Sequence, residues 1–144
     1  PFKIIFFSND KNLINILKKS ATDLGLKNNL IILNETSDIR IYYSLCDLVI
    51  SSSTKPEGFG RTVSEALAMS KLLIAPNQGG TKEQLEAFDK NLLYDISSLQ
   101  SFKKALMYAL SNLENDKNKR RDYIISNFSL DLMIRKTIEV YGIK

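Results

Sequence analysis

The chain has 144 residues, 44% of them apolar and 25% charged, which predicts a soluble domain with a core of its own and excludes a disordered or low-complexity segment. Its 20 Lys and Arg residues against 16 Asp and Glu residues leave a net charge of +4, a mild excess that suits an anionic ligand but not a nucleic-acid module. The absence of His excludes a Ser-His-Asp or Cys-His relay, a His-ligated zinc site and a His general base within this chain.

Short apolar runs alternate with amphipathic segments through the first two thirds of the chain. The first run, residues 3–7, predicts a strand, and the apolar spacing after it predicts a helix that ends at Gly25. The next predicted elements are a strand at 30–33, a helix at 38–45, a strand at 48–51, a helix at 60–69, a strand at 72–75, a helix at 81–87 and a weak strand at 91–94. This alternation predicts an α/β fold with a Rossmann-like parallel sheet and helices on both faces.

From residue 98 onward the apolar spacing is helical only. One stripe runs over residues 102–113, and two further helices are predicted at 123–128 and 130–141. Four basic residues before them are interspersed with acidic ones, so we expect a solvated helix start rather than a binding patch. These are Lys117, Lys119, Arg120 and Arg121. Because neither a repeat nor a flexible linker divides residues 1–144, we expect a single domain.

The one cysteine, Cys46, permits neither an internal disulfide nor a Cys-x-x-Cys pair, which indicates a reducing, cytoplasmic compartment. Since it lies in an apolar stretch, we expect a buried and unreactive thiol. No apolar run approaches the roughly 20 residues that span a bilayer. The start at Pro1, without Met, suggests processing or a piece of a longer polypeptide.

Parallel sheets bind ligands beyond the carboxyl ends of their strands, in the loops that lead into helices. The loop after the first predicted strand contains no glycine, which excludes the G-x-G-x-x-G turn, and no P-loop motif occurs anywhere. The chain also lacks an Asp-x-Asp pair for a metal on a diphosphate, and its carboxylates follow no EF-hand pattern. We therefore expect neither a metal nor an organic cofactor.

The loop after the third strand, SSSTKPEGFGRTVSEALAM, has the composition of an anion site. Gly58 and Gly60 allow unusual backbone angles and the close approach of a ligand. The first amides of the helix that follows have no acceptor within the helix, and the helix dipole adds about half a positive charge there. Together these amides can hold a phosphate. They belong to Gly60, Arg61, Thr62 and Val63.

Two carboxylates flank this anion site. Glu57 stands on the loop just before the glycines, and Glu65 lies roughly 7 Å along the helix at about 1.5 Å per residue. Ionised carboxylates accept hydrogen bonds well from vicinal hydroxyls, so a ligand with an anionic middle and hydroxyls at both ends fits this layout. A nucleotide diphosphate sugar is such a ligand. A loop-end charge at Glu57 and an ion pair at Glu65 explain the same spacing without a ligand.

The segment PEGFGRTVSEALAMSKLLIAPNQGG, followed by TKEQL, resembles the E-x7-E region of retaining glycosyltransferases with the GT-B architecture, of the family 4 type that includes bacterial lipopolysaccharide and polysaccharide transferases. IRIYYSLCDLVISSS before it and NFSLDLMIRKTIEVYG after it resemble the same family, so the likeness covers essentially the whole chain. It implies a domain that binds a nucleotide diphosphate sugar and, in the full-length protein, transfers a hexosyl group with retention to a glycan or lipid-linked acceptor.

The resemblance assigns a role to each loop residue. Glu57 matches the first motif glutamate, which lies by the transferred sugar and the forming oxocarbenium-like centre, and we count it as catalytic in that limited sense. Glu65 matches the second, which binds the nucleotide ribose. The sugar-contacting loop corresponds to Gly58, Phe59 and Gly60. The helix start that receives the diphosphate corresponds to Arg61, Thr62 and Val63.

Other matches are less specific. The edge of the base pocket corresponds to Leu33, Asn34 and Glu35. The Gly-Gly loop that follows the motif corresponds to Gly79 and Gly80, and its acidic residue to Glu83, for which a helix-start charge is an equally good explanation. For Phe59 we expect the ring itself to be buried beneath the loop.

The family works without a divalent metal, so amides, the helix dipole and basic side chains must stabilise the leaving diphosphate. Arg61 and Lys55 are the local cations. No residue is a convincing covalent nucleophile, which agrees with a front-face displacement in which the departing phosphate takes the acceptor proton.

The sequence also departs from the family. Ser70 and Leu72 replace a usual Gly and Pro, at positions where we expect a cost in turn geometry. Ser8, Asn9 and Asp10 replace a Gly-rich turn. In this alignment the family's first strand, with its Arg and Lys phosphate pair, and the acceptor domain lie upstream of Pro1, so we expect a gap in the sheet and an isolated chain inactive in transfer. Through the missing half, the full-length protein is expected to reach its acceptor, at the inner face of the membrane.

Three alternatives stay open. A sugar-nucleotide 2-epimerase shares the architecture, although it would carry other acidic residues and His. A non-catalytic nucleotide-sugar-binding subunit, or a truncated remnant, would keep the same residues. A purely structural α/β domain would bind no nucleotide.

Overall fold

The computed structural model describes residues 2–34 and 36–142. The chain forms two compact units, one ending at Ile41 and the other beginning at Tyr42. Each is built from parallel strands and helices, which confirms the predicted α/β class.

The first unit is a strand-helix-strand unit. Strand β1 (Ile4–Phe7), helix α1 (Lys11–Asp23) and strand β2 (Leu30–Leu33) follow one another, and β1 pairs with β2 in parallel register. Asp10 is the N-cap of α1. Its carboxylate accepts hydrogen bonds from the backbone amides of Asn12 and Leu13, at 2.8 and 3.2 Å, which have no acceptor within the helix. The helix ends just before Gly25, which adopts a left-handed φ of +70° as its position predicts.

The second unit is organised around a parallel sheet in the order β3-β4-β5. Its strands are β3 (Leu48–Ile50), β4 (Leu72–Pro76) and β5 (Leu93–Tyr94). All five residues of the central strand β4 are buried, as expected for a strand with helices around it. The predicted strand positions are therefore confirmed to within one or two residues.

In the part of the chain that the structure describes, six α-helices follow the first unit's strands: α2 (Arg40–Leu45), α3 (Arg61–Ala68), α4 (Gly79–Asp89), α5 (Leu99–Ser111), α6 (Lys117–Phe128) and α7 (Leu130–Tyr141). Helices α2 to α6 each contribute at least one buried side chain to the core of the second unit, α2 through Tyr43. That core includes Val63 and Leu67 of α3, Leu85 of α4, Ala105 and Ala109 of α5 and Ile124 of α6.

Two helices begin earlier than the sequence predicts. Helix α4 starts at Gly79 instead of residue 81, and α6 starts at Lys117 instead of residue 123. The charged residues 117–122, which look like an interruption in the apolar pattern, form the first turns of α6. Lys117 pairs with Glu114 at 2.7 Å and Lys119 with Asp116 at 2.8 Å, so these two lysines do stand in a solvated helix start.

Arg120, by contrast, is 2% exposed, so the expectation of a solvated side chain is wrong for this residue. Within the described residues, its guanidinium donates to four backbone carbonyls and to no carboxylate. The acceptors are the carbonyls of Ser70, Asn112, Leu113 and Asn115. Helix ends leave carbonyls without partners, and a guanidinium with five N–H groups can satisfy several at once. Burial lowers the pKa of this guanidinium.

Cys46 is partly rather than fully buried, which corrects its predicted position. Burial nevertheless raises the pKa of its thiol, so the unreactive protonated form is favoured. Among the helices described, none is long and apolar enough to cross a membrane.

Candidate functional site

The loop over residues 51–60 follows the carboxyl end of β3, and hydrogen bonds hold its first residue in place. The amide of Ser51 donates to the carbonyl of Ile74 on β4 at 3.0 Å. Its carbonyl accepts a 2.7 Å hydrogen bond from the hydroxyl of Tyr94, and both residues are 5% exposed. Burial raises the pKa of the Tyr94 phenol, which keeps it a donor. The loop therefore begins in the core.

The loop is in backbone contact with the start of α4. The amide of Gly80 donates to the carbonyl of Glu57 at 2.8 Å. A Cβ at Gly80 would lie 2.6 Å from the Cα of Phe59, and one at Gly79, whose φ is +53°, would lie 3.0 Å from the amide nitrogen of Glu57. Only glycine fits at these two positions, because the loop backbone occupies the space that a side chain of α4 would need.

Gly60 stands at the junction of the loop and α3. Its φ of +79° is left-handed, and a Cβ would lie 3.0 Å from the amide nitrogen of Thr81. The amide of Val63 donates to the carbonyl of Gly60 at 3.0 Å, and the Val63 side chain is fully buried. Val63 is thus a core residue, and because its amide already donates to Gly60, that amide is not free for an anion. Three amides of the predicted anion site still lie before the first hydrogen bond of α3, where a helix supplies no acceptor for them. They are the amides of Gly60, Arg61 and Thr62.

The side chain of Glu57, partly buried, is held by its own loop. The hydroxyl of Ser53 donates to Oε1 of Glu57. The amide group of Gln78 in turn donates to the carbonyl of Ser53 at 3.2 Å. Glu57 is therefore oriented through both its side chain and its carbonyl.

Glu65 lies one turn into α3 and is held at both oxygens. The hydroxyl of Tyr43 donates to Oε2 at 3.0 Å, and the guanidinium of Arg61 donates to Oε1 at 2.9 Å. Burial, followed by the bond to Glu65, raises the pKa of the Tyr43 phenol. The phenol is therefore protonated across the physiological range and always offers its hydrogen to the carboxylate.

The family model for "Glycosyl transferases group 1" matches residues 10–127, a span that contains the whole of this loop and both helices beside it. The chain belongs to this glycosyltransferase family. No curated protein matches the sequence significantly.

Solved glycosyltransferases share the fold of this glycosyltransferase chain. A glycosyltransferase from Rickettsia africae ESF-5 is 34% identical, with a TM-score of 0.82 over 98% of this chain and 39% of its own. HepE from Anabaena in complex with UDP is 22% identical, with a TM-score of 0.83 over 98% of this chain and 41% of its own. TarM from S. aureus, in complex with UDP, fondaparinux and α-GlcNAc-glycerol, is 22% identical, with a TM-score of 0.72 over 96% and 29%. The chain thus spans about two fifths of the first two structures.

Phe59 of the glycosyltransferase loop is 48% exposed, so the expectation of a buried ring is wrong. The ring packs edge-on against Phe128 at the end of α6, with 6.0 Å between centroids. The space beneath the loop holds the backbone of Gly80 instead. One face of Phe59 is therefore available to solvent or ligand.

The remaining candidates belong to both units, and each is described within its own. Leu33 ends β2 in the first unit, the exposed Asn34 follows it, and Glu35 lies outside the described residues. Glu83 is exposed in the second turn of α4, beyond the first turn in which a carboxylate complements the dipole. Lys55 is exposed on the site loop.

Among the described residues that contact the site, sequence reasoning missed Ser53, Gln78, Tyr43 and Gln84. Gln84 is 1% exposed, and its side-chain amide donates to the carbonyls of Phe59 and Gly60. A signal for it did exist, because Thr81, Gln84, Leu85 and Phe88 follow the helical spacing of a buried stripe, in which a glutamine requires polar partners.

Proposed function

We propose that this chain is the nucleotide-sugar-binding half of a retaining glycosyltransferase, which transfers a hexosyl group from a nucleotide diphosphate sugar to a glycan or lipid-linked acceptor. The observation that carries the proposal is the pair of held carboxylates beside one helix start, Glu57 through Ser53 and Glu65 through Tyr43. Family membership and the UDP complexes of HepE and TarM support the choice of ligand.

In this proposal the diphosphate lies at the start of α3. The amides of Gly60, Arg61 and Thr62 carry the helix's partial positive charge to it. The side chain of Arg61 is 83% exposed in its pair with Glu65. A surface pair of this i,i+4 kind contributes only about 0.3–0.5 kcal/mol. Arg61 can therefore leave Glu65 for a phosphate at little cost, and the freed carboxylate oxygen can accept a ribose hydroxyl.

Glu57 is placed beside the sugar in this arrangement. Its side chain is oriented by Ser53, and its anionic charge would stabilise the oxocarbenium-like centre that forms as the sugar leaves the diphosphate. The departing phosphate takes the acceptor proton, so no covalent nucleophile is needed. We propose that charge neutralisation comes from the amides and Arg61 without a divalent metal.

The acceptor and its binding residues belong, in this proposal, to a further domain of the full-length protein. The solved relatives are more than twice as long as this chain, which supports such a division. We propose a cytoplasmic enzyme of polysaccharide or lipopolysaccharide synthesis, which meets lipid-linked acceptors at the inner face of the membrane.

Calorimetric titration of the 144-residue chain with UDP, GDP and their hexose derivatives tests the proposal. We expect at least one of these ligands to bind, with the same affinity in EDTA as in Mg²⁺. Glu65→Ala should weaken that binding at least about tenfold, because charge-assisted hydrogen bonds to the ribose are lost. Glu86→Ala, which removes an exposed carboxylate from α4, is the matched control and should stay within about twofold. Failure of every ligand to bind, or wild-type binding by Glu65→Ala, would refute the assignment.

A further inference from the structure

We infer that Gln84 is a positioning residue that aims the phosphate-binding amides of the loop. The inference rests on the proposed function and adds to it the residue that orients the amides of Gly60 and Arg61. Gln84 belongs to α4, 20 residues or more beyond the loop and α3 residues that it contacts.

Gln84 is 1% exposed, and its side-chain amide forms hydrogen bonds with the site loop and with α3. Its Nε2 donates to the carbonyl of Phe59 and, at 3.3 Å, to the carbonyl of Gly60. Its Oε1 accepts a 2.7 Å hydrogen bond from the hydroxyl of Ser64 on α3. Carbonyl oxygens can only accept, so the atom of Gln84 that faces the two carbonyls must be its nitrogen. The side-chain amide therefore has the one orientation that its partners allow.

These bonds determine where the loop amides point. A trans peptide plane holds its carbonyl and its N–H in opposite directions. The carbonyl of Phe59 shares a plane with the N–H of Gly60, and the carbonyl of Gly60 shares a plane with the N–H of Arg61. Gln84 holds the carbonyl of Phe59 toward the core and shares that of Gly60 with the amide of Val63, so both N–H groups point away from Gln84, outward from the start of α3.

The backbone of Gln84 is itself held by a residue of α6. The hydroxyl of Tyr123 on α6 donates to the Gln84 carbonyl at 2.7 Å. The Tyr123 ring packs on Phe128, with 5.9 Å between centroids, and Phe128 packs on Phe59. Helix α6 therefore holds both parts of the arrangement, Gln84 through Tyr123 and the site loop through Phe128. The loop amides are thus oriented before a ligand binds. Preorganised donors of this kind stabilise developing negative charge most effectively.

The test compares Gln84→Met, which keeps the length of the side chain and removes both donors, with Leu85→Val, a substitution in the adjacent, fully buried residue. Residual dipolar couplings of the Gly60 and Arg61 N–H vectors are measured without ligand, and UDP binding is measured by calorimetry. We expect changed couplings and an affinity at least about tenfold weaker in Gln84→Met, with couplings and affinity preserved in Leu85→Val even where its thermal midpoint falls.

Unchanged couplings in Gln84→Met would overturn the inference, as would UDP affinity equal to that of the wild type. A wild type that binds no nucleotide would refute the proposed function, and the couplings alone would then decide the role of Gln84. Should Gln84→Met fail to fold, Ser64→Ala, which removes the bond to Oε1, takes its place with the same measurements and a smaller expected effect.

Discussion

The hydroxyl of Tyr43 donates a 3.0 Å hydrogen bond to Oε2 of Glu65, 22 residues further along the chain. It joins α2, which precedes β3, to α3, which follows the site loop. Tyr43 is 7% exposed, whereas 31% of the Glu65 side chain faces solvent. A buried donor thus orients a carboxylate whose other oxygen is paired with the exposed guanidinium of Arg61. This arrangement suits a residue that must present one oxygen to a ligand.

Tyr43→Phe should weaken nucleotide binding without removing it. The ring still fills its place in the core, but the carboxylate loses a charge-assisted hydrogen bond, so we expect UDP affinity to fall about three- to tenfold and stability to fall by about 1–2 kcal/mol. Calorimetry and urea unfolding measure the two effects. Affinity equal to that of the wild type would show that Tyr43 does not orient Glu65 for binding.

The same substitution should change the alkaline stability of the chain. The pKa of Tyr43 is raised in the folded state, so its contribution to stability is present below about pH 10, where the unfolded phenol titrates, and is lost as the pH rises toward the folded pKa. Urea unfolding between pH 8 and about pH 11 should show a shallower decline for Tyr43→Phe than for the wild type. Parallel declines in the two proteins would contradict this.

Gly80→Ala should displace the site loop. A Cβ at this position would lie 2.6 Å from the Cα of Phe59, so the loop backbone must move, and we expect a loss of about 1–3 kcal/mol in the free energy of unfolding. Gly58→Ala is the matched control for stability. A Cβ there meets nothing within 4 Å, so stability should stay the same or rise by up to about 1 kcal/mol. Equal effects at both positions would contradict the packing argument.

Arg120→Met should be the most destabilising of these changes. It leaves several backbone carbonyls without a donor, and we expect a loss of about 3 kcal/mol in urea unfolding. The neighbouring Arg121 is exposed and donates to one carbonyl, that of Ala68 at 2.8 Å. Arg121→Met should therefore cost no more than about 1 kcal/mol. A cost for Arg120→Met as small as that of its neighbour would show that water can replace the guanidinium.

Ser70→Gly should stabilise the chain. Ser70 has a left-handed φ of 59° after the end of α3, where its amide donates to the carbonyl of Leu67 at 2.9 Å. Such a conformation costs an L residue roughly 1–2 kcal/mol, of which glycine's extra freedom in the unfolded chain offsets part, so a net gain of about 0.5–1 kcal/mol is expected. Ser126→Gly, at an exposed position in the last turn of α6, should instead lower stability by up to about 0.5–1 kcal/mol. Thermal unfolding of both variants checks the sign.

Several features were predictable from residues close together in the sequence. Apolar periodicity placed the strands, since the alternation of buried and exposed positions is a local property. The pattern of residues 57–65 indicated an anion site between two carboxylates, because helix starts and glycines act through the backbone of their own segment. At Ser70 the resemblance to a family that usually has glycine predicted a cost in turn geometry, and Ser70 has a left-handed φ of 59°.

Tertiary structure decided which groups are buried and what they touch. Arg120 and Lys119 are adjacent and alike in sequence, yet one is enclosed by the carbonyls at the ends of other helices and the other is solvated in an ion pair. The contacts of Gly80 with Phe59, Gln84 with Gly60 and Tyr43 with Glu65 each join residues 20 or more positions apart. Their partners depend on how helices pack around β4, and packing depends on the whole chain. Composition and periodicity thus predicted the fold class, and the motif predicted the candidate site, whereas packing alone decided how the carboxylates and amides of that segment are oriented.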